Sequence, residues 1–280
     1  MDGAKFLFVP RAVGALRRRI KLVQPLTTLI VLSSAHEVLY RRYFEPTLPE
    51  GLRIVPLQLG DNQSDGSYMS KEWQDANCAK VRHALAFCRQ APEGEPFIVS
   101  DVDVQFFPAF NAERFLKYVD SLGCDLAFQR ERFREGDTEA NCGFYTGRNT
   151  PAVRRLLESS LESLERDSVK NEQNAVNRML GELRISYAML DHRFYARTHG
   201  FPPPKDIWMH HASWTTTIPE KIRQLDRVKR IIGSGSLRLH FEAYAEHLSR
   251  ILAKNGTPEA FLSATRNFLS KVPLQPGSLP

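Results

Sequence analysis

Apolar residues fall in short runs that alternate with longer amphipathic stretches. Thr28 to Leu32 is an unbroken apolar run after one threonine, the pattern of a buried strand. Small polar residues follow, and His36 to Tyr43 then predicts a helix. Arg53 to Leu59 reads as a second strand, which Pro56 places at a sheet edge or a bulge. Gly60 to Ser67 is dense in turn formers and predicts a loop. Lys71 to Arg89 carries Ala79, Val81, Leu85, Ala86 and Cys88 at roughly helical spacing. Phe97 to Ser100 is the third strand.

The second half repeats the alternation. A helix is expected near Ala112 to Leu122, and strands near Asp125 to Gln129 and Asn141 to Thr146. Asn149-Thr150-Pro151 is a helix start, with a capping polar residue and a proline in the first turn. Val153, Leu156, Leu157, Ser160, Leu161 and Leu164 continue it as a stripe. Glu172 to Leu180 predicts another helix and Ile185 to Leu190 a strand. His199 to Lys205 holds three consecutive prolines and cannot be regular helix. Gly233 to Ser236 reads as a hinge before helices at Leu237 to Lys254 and Thr257 to Lys271. Phe261, Ala264, Phe268 and Leu269 give the last helix an apolar face, expected to pack on the body. The order predicts an α/β fold with a mixed, mainly parallel sheet flanked by helices. One domain would span 1–232, with a helical extension at 233–280 packed on it.

Composition changes this picture little. The 280 residues are 42% hydrophobic and 25% charged, which argues against general disorder. The net charge of +6 suits an anionic partner. Neither a nucleic-acid motif nor a long basic block is present, and Arg17 to Arg19 with Lys21 is a short solvated cluster, so no nucleic-acid partner is expected. Cys78, Cys88, Cys124 and Cys142 form no CxxC pair and read as buried thiols. No apolar run is long enough to span a bilayer, and the first residues lack a signal-peptide pattern. The expectation is a soluble, cytoplasmic protein. A secretory form trimmed of its anchor, working in the Golgi lumen, would read the same.

The chemistry concentrates at Phe97-Ile98-Val99-Ser100-Asp101-Val102-Asp103. An apolar strand ends in two aspartates whose side chains project to one side. Such like charges repel unless a cation joins them. Hard Mg2+ or Mn2+ prefers carboxylate oxygens, and the carboxyl ends of strands are where α/β sheets bind ligands. The pair therefore reads as a metal site for a phosphate-bearing substrate.

With this motif, three further blocks carry a family resemblance: NCGFYTGRNTPAVRRLLE from Asn141, NEQNAVN from Asn171, and HHASW from His210, followed by Lys221. Over about Thr28 to Arg230 the chain resembles the GT-A nucleotide-diphospho-sugar transferases. The likeness is to the group of arabinosyl-, xylosyl- or galactosyl-transferase character. The resemblance implies a metal-dependent glycosyltransferase, with Mn2+ or Mg2+, a UDP-sugar donor and retention of configuration. It implies that Asp103 binds the metal and that Asp101 contacts the ribose or holds a metal-bound water. His211 is implied as a third ligand, with His210 its competitor. Lys221 would meet the diphosphate, and Lys80 and Asn77 would face the nucleotide. Asn141, Gly143, Phe144, Glu172 and Gln173 would line the donor sugar, with Glu172 positioning hydroxyls or stabilising charge at the anomeric carbon. Ser213, Cys142 and Glu172 depart from the family's common choices, at positions nearer the sugar than the metal. The acceptor, whether glycan, protein or small molecule, and the oligomeric state are not written in the sequence. Loops Gly60 to Ser67 and Phe133 to Ala140 are expected to shape acceptor access. Two other readings compete. DVDV also fits a haloacid-dehalogenase-type phosphohydrolase, with Asp101 as nucleophile and Asp103 as acid/base. A binding module that keeps the fold without turnover is the other.

Overall fold

The computed structural model describes residues 25–60, 70–133, 136–166, 171–199, 201–235 and 239. Strand β1 (Leu26–Leu32) enters the centre of the protein. A helical winding over 34–47 follows, and β2 (Leu52–Gln58) returns beside β1 in parallel. The expected helix at 36–43 is a mixture of 3-10, α and π turns. Leu39, Tyr43 and Phe44 are all buried, at spacings of four and five, and π winding turns them inward together. Pro46 helps close the segment.

Helix α1 (Lys71–Gln90) starts at Ser70, whose hydroxyl accepts from Trp73 N at 3.1 Å. Next come β3 (Pro96–Ser100), the short β4 (Val104–Phe106) and α2 (Ala112–Ser121), capped by Asn111. β5 (Leu126–Arg130) and β6 (Ala140–Arg148) form an antiparallel pair. Helix α3 (Pro151–Arg166) begins at the predicted proline. Thr150 Oγ1 accepts from Val153 N at 3.4 Å, while Asn149 Nδ2 donates to the Ala91 and Pro92 carbonyls and ties the α3 start to the end of α1. Helix α4 (Glu172–Glu182), β7 (Ala188–Met189), β8 (Phe194–Ala196), β9 (Met209–His211) and α5 (Ile218–Gly233) complete the described elements.

The main sheet has the order β2-β1-β3-β6-β5-β7. β1 is parallel to β2 and β3, and β5 is parallel to β7, while β6 runs antiparallel to both its neighbours. Pro56 lies on β2, an edge strand, where a missing donor is tolerated. The strand expected over Ile185 to Leu190 shrinks to Ala188–Met189, where β5 offers partners. A second sheet, β4-β9-β8, was not expected. Its strands have three residues each, too short for periodicity to reveal.

One face of the main sheet packs α1, α3 and α4 through Val81, Leu85, Leu156 and Val176. The other carries an aromatic core around Phe115, Phe144, Phe194 and Trp208. Beyond residue 232, only 233–235 and 239 are described, and Gly233 still belongs to α5. Apart from Leu239, the helices expected at 237–254 and 257–271 lie outside the described residues, as does most of the loop at 60–67. Among the described residues no helix is long and apolar enough to cross a membrane.

Candidate active site

The backbone leaves the main sheet after Ser100 and joins the second at Val104, so Asp101 and Asp103 flank the turn between the two sheets. Asp101 N donates to Gly143 O at 2.7 Å, and Ala212 N donates to Asp103 O at 2.9 Å. These bonds fix the turn from both sides. The Asp103 side chain is 5% exposed, whereas that of Asp101 is 38% exposed and keeps an open side toward a cavity of about 580 Å³. That volume suits a small molecule.

β9 sets the two histidines on opposite faces, since successive residues of a strand alternate. His210 packs against Tyr195 at 5.5 Å between ring centroids, and its Nδ1 accepts from Gln105 Nε2 at 3.1 Å. Burial pushes its pKa down to about 3. It is a structural, uncharged ring. His211 faces the aspartates, with Nε2 3.4 Å from Asp103 Oδ1 and 3.8 Å from Asp101 Oδ2.

Gln129 decides how His211 presents itself. The Gln129 Nε2 donates to the carbonyls of Phe194 and Tyr195 at 3.1 and 3.2 Å. Its Oε1 therefore faces His211 Nδ1 at 2.9 Å and accepts the proton there. The neutral imidazole then turns the Nε2 lone pair toward two carboxylates. Donor atoms of Asp101, Asp103 and His211 all lie within 4.8 Å of one another. Asp103 Oδ1 is buried without a hydrogen-bond partner. Three acceptor atoms this close together, one of them without a hydrogen-bond partner, form a set that could hold a metal ion. Gln129 owes its aim to a shift in register: Phe128 opposes Tyr145, but Gln129 opposes Asn141.

Two lysines balance the acids. Lys221, on the first turns of α5, bonds Asp103 Oδ2. Burial works against the Asp103 carboxylate, but the Lys221 ammonium holds it well below the usual carboxylate range. Lys80, from α1, reaches Asp101 Oδ1 at 2.6 Å, Cys142 O at 3.1 Å and, as an ion pair, Glu172 Oε2 at 2.7 Å. Burial opposes its charge, yet Asp101 and Glu172 outweigh that and raise its pKa. Burial pushes Glu172 up to about 7, although Lys80 pulls the other way.

The residues expected around the sugar divide. Asn141, Gly143, Glu172 and Gln173 line the cavity, as does Asn77, whose Nδ2 donates to Trp73 O at 2.7 Å. Phe144 does not line it. Strand alternation turns its ring to the far face, where it is fully buried near Phe106, Phe115 and Phe194. Glu172 is 1% exposed and engaged with Lys80, a setting that makes it a partner of that ammonium. Gly143 serves a neighbour: a Cβ there would stand 2.1 Å from His211 Cε1. Gly143→Ala is therefore expected to dislodge His211 from the two aspartates and remove nearly all activity with the chain still folded. Activity assays with circular dichroism check this.

Sequence reasoning missed Glu131 and Gln129. Glu131 is 2% exposed and accepts from Asn141 Nδ2, Trp214 Nε1 and, at 3.2 Å, Gln173 Nε2. It gathers three cavity residues from separate segments. Asn141 Oδ1 in turn accepts from Gly143 N at 2.9 Å.

Residues 39–225 match a family model described as nucleotide-diphospho-sugar transferase. The WbbM bifunctional glycosyltransferase in its apo form superposes with a TM-score of 0.50 at 10% identity, over 72% of this chain and 50% of that one. A glycosyltransferase involved in glycosylation of the major capsid of PBCV-1 gives 0.48 at 14% identity, over 72% and 100%. The galactosyltransferase LgtC, in complex with donor and acceptor sugar analogs, gives 0.45 at 15% identity, over 75% and 96%. No curated protein sequence matches the chain.

Proposed function

Because this chain belongs to the nucleotide-diphospho-sugar transferase family and is a nucleotide-sugar-dependent glycosyltransferase, we propose that it moves a sugar from a UDP-sugar to a hydroxyl acceptor with Mn2+ or Mg2+ at Asp101, Asp103 and His211. The observation that carries the metal reading is the convergence of three acceptor atoms, one with no hydrogen-bond partner. The two carboxylates suit Mn2+ or Mg2+, and the imidazole favours Mn2+ of the two. Bound there, the ion supplies Lewis-acid stabilisation of the departing diphosphate.

The chain's own residues do the rest. Lys221 stands on a helix start beside Asp103, where it adds a positive charge for the diphosphate. Lys80 holds Asp101 in place and is itself held by buried Glu172. Asn141 and Gln173, tied together through Glu131, line the part of the cavity where the sugar would lie. In the reaction the bond from the anomeric carbon to the phosphate oxygen breaks and the acceptor oxygen bonds that carbon. With retention, the acceptor attacks from the leaving-group face, and its proton passes to the departing phosphate oxygen. The phosphohydrolase reading is set aside: family membership is with the sugar transferases, and the Asp101 carboxylate is bonded to Lys80.

A donor screen tests this. Nucleoside diphosphate release is followed over a panel of UDP- and GDP-sugars with Mn2+ or Mg2+. A UDP-sugar is expected to turn over, with the rate abolished by chelator and restored by metal. Turnover that survives the chelator unchanged contradicts the metal assignment.

A further inference from the structure

A second cavity, of about 1100 Å³, lies along α5 and adjoins the first at Trp214 and Thr216, which line both. The donor site already described makes no use of it. Arg197, Arg223, Arg227 and Arg230 line it. Two acids share that wall, Glu220 bonded within it and Asp226 paired with an arginine outside it. Glu220 Oε2 accepts from Thr216 N and Oγ1 at 2.9 and 3.0 Å. Asp226 accepts from Arg42 Nη2 at 2.9 Å and from the Tyr43 hydroxyl at 2.8 Å. Four arginines against two acids leave the wall a cationic excess.

A second observation is independent of charge. Gln224 lines this cavity and is 8% exposed, yet neither its Nε2 nor its Oε1 has a hydrogen-bond partner among the described residues. A buried amide left unpaired is costly, and a polar guest would satisfy both its donor and its acceptor. Trp214 completes the setting. Its backbone is held at φ 55, a conformation unusual for a bulky residue, and its Nε1 is anchored on Glu131. The indole is left 65% exposed where the two cavities meet. A rigid apolar face flanked by hydrogen-bonding groups suits a sugar ring.

We propose that this second cavity binds the acceptor, and that the acceptor is an anionic saccharide bearing a carboxylate or a sulfate. Guanidinium groups pair with planar or tetrahedral oxyanions through parallel hydrogen bonds, which makes a wall that carries Arg197, Arg223 and Arg230 selective for such groups. Gln224 takes a sugar hydroxyl, and Trp214 carries the ring whose hydroxyl enters the first cavity. The proposal rests on reading that first cavity as the donor site.

The test is calorimetry on the full chain at fixed ionic strength, with UDP and Mn2+ saturating. The probes are a chondroitin-type disaccharide carrying only the uronic carboxylate, its 6-sulfated form, and neutral lactose. One charged disaccharide or both are expected to bind at least about tenfold tighter than lactose. Which of them does identifies the oxyanion. The R223Q/R230Q variant is expected to lose that preference and to bind UDP as before, since neither arginine lines the donor cavity. Q224L is expected to weaken the charged disaccharide several-fold. Equal affinity for lactose and both charged probes, or a preference untouched in R223Q/R230Q, overturns the proposal. If UDP itself does not bind with Mn2+, the donor reading fails and the acceptor proposal falls with it.

Discussion

Replacing Asp103 with asparagine is expected to lower turnover by about a thousandfold or more, because a Lewis acid at a departing phosphate supplies several kcal/mol. Asp103 is the deeper of the two aspartates, and its Oδ1 lies beside His211 Nε2 without a hydrogen bond of its own. An amide there replaces an anionic ligand atom with a neutral one. The fold should survive, since Asn matches the volume of Asp and Lys221 keeps some contact with solvent. Asp101→Asn should cost less, because that side chain is partly exposed and shares its charge with Lys80. Initial rates of UDP release, with thermal melting of each variant, check the order. A phosphohydrolase that used Asp101 as its nucleophile would show the reverse.

The second large effect is on stability. Lys80→Met is expected to destabilise the chain by about 1–3 kcal/mol, the usual cost of leaving a buried polar group without its partner. Lys80 is the ammonium between Asp101 and Glu172, and the Glu172 side chain is 1% exposed. Glu172 already has a pKa raised to about 7, so without Lys80 it would take up a proton and remain a buried polar group. Lys80→Met combined with Glu172→Leu removes both charges, and the double variant should be more stable than Lys80→Met alone. Urea unfolding of the three variants and the parent measures this. A Lys80→Met chain as stable as the parent would show that the ion pair is not the buried contact described.

Much of this site was legible in the residues. Phe97 to Ser100 announces a buried strand, and two aspartates after it announce a ligand at the sheet's rim. The choice between His210 and His211 was not legible, because it depends on which face of a three-residue strand meets the aspartates. Nothing in the local sequence marks that strand. Phe144 was expected at the sugar, but its neighbour Gly143 faces His211, and alternation sends the next ring into the core. Gln129 and Glu131 were invisible for another reason. Each is a single polar residue at the end of β5, and its role appears only when segments some forty to eighty residues away fold back onto it. The helix over 34–47 was seen in outline but not in its winding, since burial of Leu39, Tyr43 and Phe44 overrides the simple period.

The central claim is that Asp101, Asp103 and His211 share one divalent ion that holds a nucleoside diphosphate. Crystals grown with MnCl2 and UDP, measured at the manganese absorption edge, test it directly. One anomalous peak is predicted within bonding distance of His211 Nε2 and both carboxylates, touching the diphosphate oxygens, and absent in Asp103→Asn. A diphosphate bound with no peak at these residues, or a peak bound elsewhere, would contradict it.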